Sequence, residues 1–373
     1  MESRLTDTQR ELRDNCKNFV DHHLAKMAAQ IDITGSFPRE FIYLMGKQGF
    51  LAPLLSSEFN GLGCDAMGFN LISTEMNKAC SNARSLITVT SMVCYAIARW
   101  GSKELQIKWL PGLASGEFIG AYALSEPDIG CQASAVALTV TASGDCFILN
   151  GSKKWISFGQ IADVFLVFGQ LEGKSVACLV ESHHPGVSVT PINHMMGCRA
   201  SMLAEIQFQD CAIAKSNLVG GVGLGIPAVA MSGLLVGRLS VASGCVGMAQ
   251  AAMEAAFDYA LQRRQFGQKL IEFQLINRLL AEMKTRVAAA RALCFYAADA
   301  LDHNVPTIDE QIIIAKYFAG GMVNDVLRDA VQIFGANGCR EGTLVERFYR
   351  DAKIMEIIEG SNEMLQLKLG KRK

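Results

Sequence analysis

The stretch Val136-Ala137-Leu138-Thr139-Val140-Thr141-Ala142-Ser143-Gly144-Asp145-Cys146-Phe147-Ile148-Leu149-Asn150-Gly151 decides the fold. Val136, Leu138 and Val140 alternate with small or polar neighbours, the period of a strand with one buried face. Ser143-Gly144-Asp145 reads as a turn. Phe147 and Leu149 resume the alternation, and Asn150-Gly151 is a hairpin signal. Residues 164–169, 176–180, 187–189 and 206–208 are further short apolar runs with turn residues between them. Short strands at this spacing predict a small β-barrel or sandwich rather than a chain of βαβ units.

Outward from this β-domain, about residues 118–224, the period changes on both sides. Before it, in about 1–117, Thr6 and Asp7 precede Leu12, Cys16, Phe19, Val20 and Leu24, a helical spacing. Phe41, Leu44, Met45 and Phe50 follow the same rule, as do Leu71, Met76, Cys80 and the run from Ile87 to Trp100. Gly101-Ser102 breaks that helix, Ser102 caps the next over 103–110, and Pro111-Gly112 is expected to end it. After the β-domain, in about 225–373, Met248, Ala252, Ala255 and Tyr259 share a face. Ile276, Leu279, Leu280, Met283, Val287, Ala290 and Cys294 form a stripe, and Ile313, Tyr317, Met322, Val326 and Val331 mark another long helix. These predict a C-terminal four-helix bundle. The fold class is α+β, mainly α: a helical domain, a central small β-barrel and a helical bundle.

The composition fits packed cores. The chain has 373 residues, 50% apolar and 19% charged, with a net charge of -1, so it carries no nucleic-acid footprint. The only cationic run is Lys368, Lys371, Arg372 and Lys373, read as a solvated helix end. Twelve cysteines are scattered without a CxxC pair or a Cys/His cluster at zinc spacing, so no metal is expected. The start Met-Glu-Ser-Arg is polar and helix-like, not a signal peptide, and no apolar run reaches membrane-spanning length without a charge. Free thiols predict a reducing compartment and a cytoplasmic protein, with no membrane partner. Gly221-Val222-Gly223-Leu224-Gly225 lacks both a βαβ context and a Walker lysine, and reads as a linker.

Several segments carry chemistry. Tyr122-Ala123-Leu124-Ser125-Glu126-Pro127-Asp128-Ile129-Gly130-Cys131-Gln132 contains a turn whose N–H groups and hydroxyl suit a heteroaromatic edge or a phosphate; alone, it is an ordinary β-turn. In Lys153-Lys154-Trp155-Ile156-Ser157, a Trp beside a Ser could cover a planar cofactor, or be a half-buried core residue. Gln262-Arg263-Arg264-Gln265-Phe266-Gly267 closes a helix with a cationic pair and a ring, suited to a pyrophosphate or to the helix dipole. Gln332-Ile333-Phe334-Gly335-Ala336-Asn337-Gly338 ends another, its glycines allowing close backbone approach or a plain cap. Glu359, between Ile357-Ile358 and Gly360, is an acid in an apolar setting. Burial there would raise its pKa toward neutrality and make it a general base.

In order and spacing, these segments resemble the flavin-dependent acyl-CoA dehydrogenase family over essentially the whole chain. The stretch from Trp100 through Glu117 and the run Asp329–Gly335 share that resemblance. The resemblance implies the helical, β-barrel, helical-bundle fold and FAD. Tyr122, Leu124 and Ser125 would line the flavin, with Ser125 bonding the ring. Trp155 would cover it, and Ser157 would bond near its reactive nitrogen. Cys131, where the family has Ser, would make a weakened phosphate contact. Arg263, Phe266, Gln332 and Gly335 would reach the FAD of a neighbouring subunit, implying a homodimer or homotetramer. Ser361 and Glu363 would contact the cofactor within the site.

Arg238 matches a family arginine near the active site. Some relatives place the base directly before that arginine; here Gly237 stands there, which leaves Glu359 as the α-proton base. Ile358 stands where fatty-acid enzymes often have Tyr, next to the substrate. With Gly130-Cys131-Gln132 and the altered 336–342 region, it points away from a standard β-oxidation substrate. The chain is similar to the dehydrogenases that act on carrier-protein-bound short acyl groups, hydroxy- or aminomalonyl-type extender units of polyketide and nonribosomal-peptide pathways. The implied partners are an acyl carrier protein or acyl-CoA thioester and an electron-transfer flavoprotein. The alternatives are a short-chain acyl-CoA dehydrogenase of catabolism, a flavin oxidase or monooxygenase, which Glu359 argues against, and a flavin-free assembly protein.

Overall fold

The computed structural model describes residues 5–371. Residues 1–4 and 372–373 lie outside the described residues, and with them the polar start and the end of the basic tail. The chain opens with α1 (Asp7–Phe19), α2 (Ala25–Thr34), α3 (Arg39–Lys47), α4 (Ala66–Asn77), α5 (Ser81–Trp100) and α6 (Lys103–Ser115). Thr6 starts α1 with a full capping box to Gln9, and Ser102 caps α6 by accepting from the Leu105 N–H at 3.3 Å. Pro111 does not end α6: the helix carries it inside and stops only at Gly116, whose φ of 78° is left-handed. The lost i−4 bond falls opposite Ile107, on the solvent side of the helix, where the interruption costs least.

The middle of the chain is one sheet: β1 (Gly120–Ala123), β2 (Thr139–Ser143), β3 (Cys146–Ile156), β4 (Val164–Leu171), β5 (Lys174–Glu181), β6 (Val187–Pro191), β7 (Ala204–Ala214) and β8 (Leu218–Val219). The strand order is β6-β7-β3-β2-β4-β5-β8, with β1 added in parallel to β4. The β2–β3 hairpin turns at Ser143–Cys146, as the alternation predicts. Asn150-Gly151 is not a turn. It lies inside β3, where the register to β7 shifts between Leu149 and Gly151. The Asn150 side chain is instead engaged across the sheet with Asp210, and a Cβ on Gly151 would press on the Leu138 backbone at 3.0 Å. The dipeptide makes a bulge with close backbone approach. The ladder of β2 starts only at Thr139, because the Ala137 and Leu138 N–H groups donate to the Glu126 carboxylate. The short β1 and β8 carry too little pattern to read.

The bundle is α7 (Met231–Gln262), α8 (Gln274–Asp302), α9 (Ile308–Phe334) and α10 (Leu344–Met355), followed by α11 (Asn362–Lys371). The predicted stripe on α8 is the buried one: Leu280, Met283, Val287, Ala290 and Cys294. The glycine-rich linker leads through a wide turn, Gly225–Ala230, into α7. Among the described residues this segment through Gln262 is long and apolar enough to span a membrane, but 78% of its most apolar window is buried inside the protein, so it is the core helix. One continuous core runs from Cys16 to Met355, joining α1–α5 to the bundle. Helix α5 belongs to two cores: Ala83–Val89 faces the bundle, and Val93–Ile97 faces the sheet with β4 and β5.

Candidate active site

Between α10 and α11 the chain makes a tight turn at Glu359-Gly360. Both residues are left-handed, with φ of 56° and 98°. For a glutamate this costs about 1–3 kcal/mol and persists only where surroundings hold it. Two cations do so. Arg238, on α7, donates from Nε to the Glu359 carbonyl at 3.2 Å. Lys316, on α9 and fully buried, donates from Nζ to the Gly360 carbonyl at 2.7 Å, with Asn362 Oδ1 at 3.4 Å and the Glu356 carbonyl at 3.5 Å. Burial pushes the Lys316 ammonium down to about 8.

Glu359 as a whole is only partly buried, but its carboxyl is enclosed and Oε2 has no hydrogen-bond partner. Loss of hydration raises the carboxyl to about 7, against the opposing fields of Arg238, Lys316 and Arg84. The carboxylate rests on α7 at Gly237, where a Cβ would stand 2.4 Å from Oε2. An acid or any other side chain at 237 is therefore incompatible with this placement.

Glu359 borders a cavity of ≈ 340 Å³, whose walls include Trp155, Ser157, Ile357 and Ile358. This brings together four of the residues singled out from sequence: Glu359, Ile358, Trp155 and Ser157. Trp155 holds a left-handed φ of 63° and stays 50% exposed, so its ring stands at the cavity without being core. Behind it, Lys153 is wholly buried, with its Nζ 2.6 Å from Glu126 Oε1 and 3.1 Å from the Leu124 carbonyl. This pair pins the Leu124-Ser125 turn, and the Ser125 carbonyl accepts from the Lys154 N–H at 2.9 Å. Tyr122 donates to the Ala230 carbonyl at 2.8 Å and packs on Gly233; burial and the Glu359 charge raise its hydroxyl pKa. Cys131 is exposed, and its sulfur lies 3.9 Å from the Ser361 hydroxyl, so the first turn meets the Glu359 loop there. Glu363 is exposed in the first turn of α11.

Four further residues stand elsewhere. Arg263 and Phe266 lie on a hairpin after α7, and Phe266 is 94% exposed at its tip. Gln332 and Gly335 lie exposed at the end of α9. The two ends adjoin, for Tyr259 stacks on Phe334 at 4.3 Å and Asn337 donates to the Tyr259 hydroxyl at 2.9 Å. Along α7 this end is about 33 Å from Gly237 at 1.5 Å per residue. One chain cannot bring both ends to one small cavity.

Sequence reading missed three residues of the site: Arg84, Lys316 and Gly244. Arg84 is the only charged residue of α5 before Arg99, which is the one signal that could have drawn attention to it. A flavin fits what is present. The half-exposed Trp155 face, the Ser157 hydroxyl at the same cavity and the pinned Leu124-Ser125 turn give a planar ring a cover and polar contacts beside an enclosed carboxyl.

The comparisons agree. Family models for the acyl-CoA dehydrogenase N-terminal, middle and C-terminal domains match residues 6–117, 121–211 and 225–373. A short-chain specific acyl-CoA dehydrogenase of Clostridium acetobutylicum is 34% identical, covering 98% of each chain. A glutaryl-CoA dehydrogenase of Mycobacterium smegmatis, solved in complex with FADH2, superposes with a TM-score of 0.94 at 26% identity, over 98% of this chain and 94% of that one. FkbI, described for biosynthesis of the methoxymalonyl extender unit of a polyketide immunosuppressant, has a TM-score of 0.88 at 31% identity, over 96% of this chain and 98% of that one.

Proposed function

The chain belongs to the acyl-CoA dehydrogenase family, FAD-dependent oxidoreductases of acyl thioesters, and we propose that its own substrate is a short, oxygen-substituted acyl group held on a carrier protein. The inner end of the Glu359 cavity carries this reading. Thr88 borders the cavity, and its Oγ1 lies 2.7 Å from Ser240 Oγ, which is 3.2 Å from Ser73 Oγ; Ser85 stands beside them. Ser85 and Thr88 thus place hydroxyls on a cavity walled elsewhere by Val89, Leu203, Ile354 and Ile358, with Ser240 and Ser73 behind Thr88, and this suits a short acyl group that carries a polar substituent. The likeness to FkbI supports an extender-unit type of substrate.

Glu359 is the base for the proton α to the thioester carbonyl. Its enclosed, unpartnered oxygen and raised pKa suit it to that step. The left-handed turn that aims the carboxylate also presents the Glu359 N–H, the donor that would polarise the carbonyl. Arg238 and Lys316 hold both in place. FAD, when bound, supplies the two-electron acceptor for the hydrogen leaving as hydride, and an electron-transfer flavoprotein would then reoxidise it. With an α-hydroxy or α-amino acyl group oxidised across Cα and the heteroatom, the Cα hydrogen would be the one that leaves as hydride, and Glu359 would take the proton of the heteroatom instead. The exposed 263–267 hairpin and the α9 end would serve the FAD of a second copy, making the protein at least a dimer in the cytoplasm.

The second reading is a short-chain acyl-CoA dehydrogenase, favoured by the Clostridium relative. Anaerobic flavin bleaching separates the two. Carrier-bound glyceryl or seryl thioesters are expected to bleach the flavin faster than butyryl-CoA. Efficient butyryl-CoA turnover with none on the carrier protein would sink the first reading.

A further inference from the structure

Arg84 is the one part of this site that the dehydrogenase chemistry does not use. Its side chain is wholly buried and borders the Glu359 cavity. Of its five N–H donors, the structure engages few: Nη1 donates to Thr88 Oγ1 at 3.2 Å, and Nη2 meets only the Met355 thioether sulfur, a weak acceptor, at 3.2 Å. Nε has no partner. Among the described residues no carboxylate forms an ion pair with it; Glu359 feels its charge without bonding to it. A buried guanidinium with no counter-ion and most of its donors unmatched is unfavourable by itself.

The fold nonetheless makes room for it. A Cβ on Gly244 would stand 2.9 Å from Arg84 Nε, as one on Gly237 would stand 2.4 Å from Glu359 Oε2. These glycines are seven residues apart on α7, two turns along one face, so their contacts lie about 10 Å apart. One helix face thus seats the base at one end and an unmatched cation at the other, with Thr88 and Ser240 hydroxyls near the cation. That spacing is the reach of a three- to five-carbon acyl group.

We propose that Arg84 is the subsite for an anionic far end of the acyl group, a carboxylate by charge and fork geometry, so that the preferred substrates are short ω-carboxyacyl thioesters. The proposal rests on the thioester-dehydrogenase reading and adds the substrate's charge to it. The carboxylate completes the donors of Arg84 bidentately and fixes Cα at Glu359.

The test uses the FAD-loaded protein and chain-matched pairs: succinyl-CoA against butyryl-CoA, and glutaryl-CoA against pentanoyl-CoA. The wild type is expected to favour the carboxylated member. In R84Q the ratio of kcat/KM, carboxylated over neutral, falls by about 100-fold, the loss typical of breaking a buried charge pair; R84K, which keeps the charge but not the fork, falls less. R84K carries the comparison should R84Q not retain flavin. A wild type without preference, or a ratio unmoved in the variants, overturns the proposal. Should no thioester bleach the flavin, the dehydrogenase reading fails, and a glutarate titration followed by flavin absorbance decides Arg84 alone. A shift lost in the variants upholds the anion subsite; no shift, or one they retain, overturns it.

Discussion

At the scale of the residue, the site turns on the proton affinity of Glu359. Only the ionised form abstracts a proton, so kcat/KM should rise with pH through about 7 and level off above it. Lys316 lowers that value by its field. K316M is therefore expected to move the acid limb to higher pH, and a limb that stays put removes Lys316 from this role. Stability runs the other way. The folded state keeps the proton between the ordinary 4.5 and about 7, so burial of this carboxyl costs nothing below that window and its full amount above it. E359Q should then raise Tm more at pH 8 than at pH 5 while abolishing bleaching. The acid was legible in sequence from its apolar neighbours and the glycine after it. Lys316 was not: between Ala315 and Tyr317 it looks like any solvated helical lysine, and only the turn 44 residues later buries it.

Elements show where local signals lose to packing. Asn150-Gly151 has the chemistry of a hairpin turn, but the strand continues because β7 pairs on both sides of it and absorbs the extra residue as a bulge. Pro111 has the chemistry of a helix stop, but α6 proceeds to Gly116. Helix α7 shows the converse. Its glycines weaken it as a helix, and they are present for what lies against them. G237A would put a methyl 2.4 Å from Glu359 Oε2 and push the carboxylate off its position. The expected result is about a 100-fold loss of kcat with FAD still bound, since misplacement by an ångström is enough. Unchanged kcat in G237A would mean that the base tolerates displacement.

At the scale of the whole molecule, one chain holds a complete base and cavity at one end of α7 and an exposed cationic hairpin at the other. Phe266 is 94% exposed between two short strands, and the proposed second copy gives it a role. F266S should lower the assembled fraction and the flavin content together in sedimentation velocity followed at flavin wavelengths. Full assembly with full flavin in that variant would refute the second-copy role.

The order helical domain, sheet, bundle was determined by sequence alone, because hydrophobic period is a local property: two in a strand, 3.6 in a helix. So was the apolar setting of Glu359, since its neighbours in the chain, Ile357 and Ile358, also border its cavity. Tertiary structure alone decided that α1–α5 and the bundle share one core, that Lys316 and Arg238 hold the Glu359 turn, and that Arg84 lies unmatched at the end of the same cavity. Burial of a charge and the identity of its partner depend on residues 44, 121 and 271 positions away for Lys316, Arg238 and Arg84, and no local window of sequence contains them.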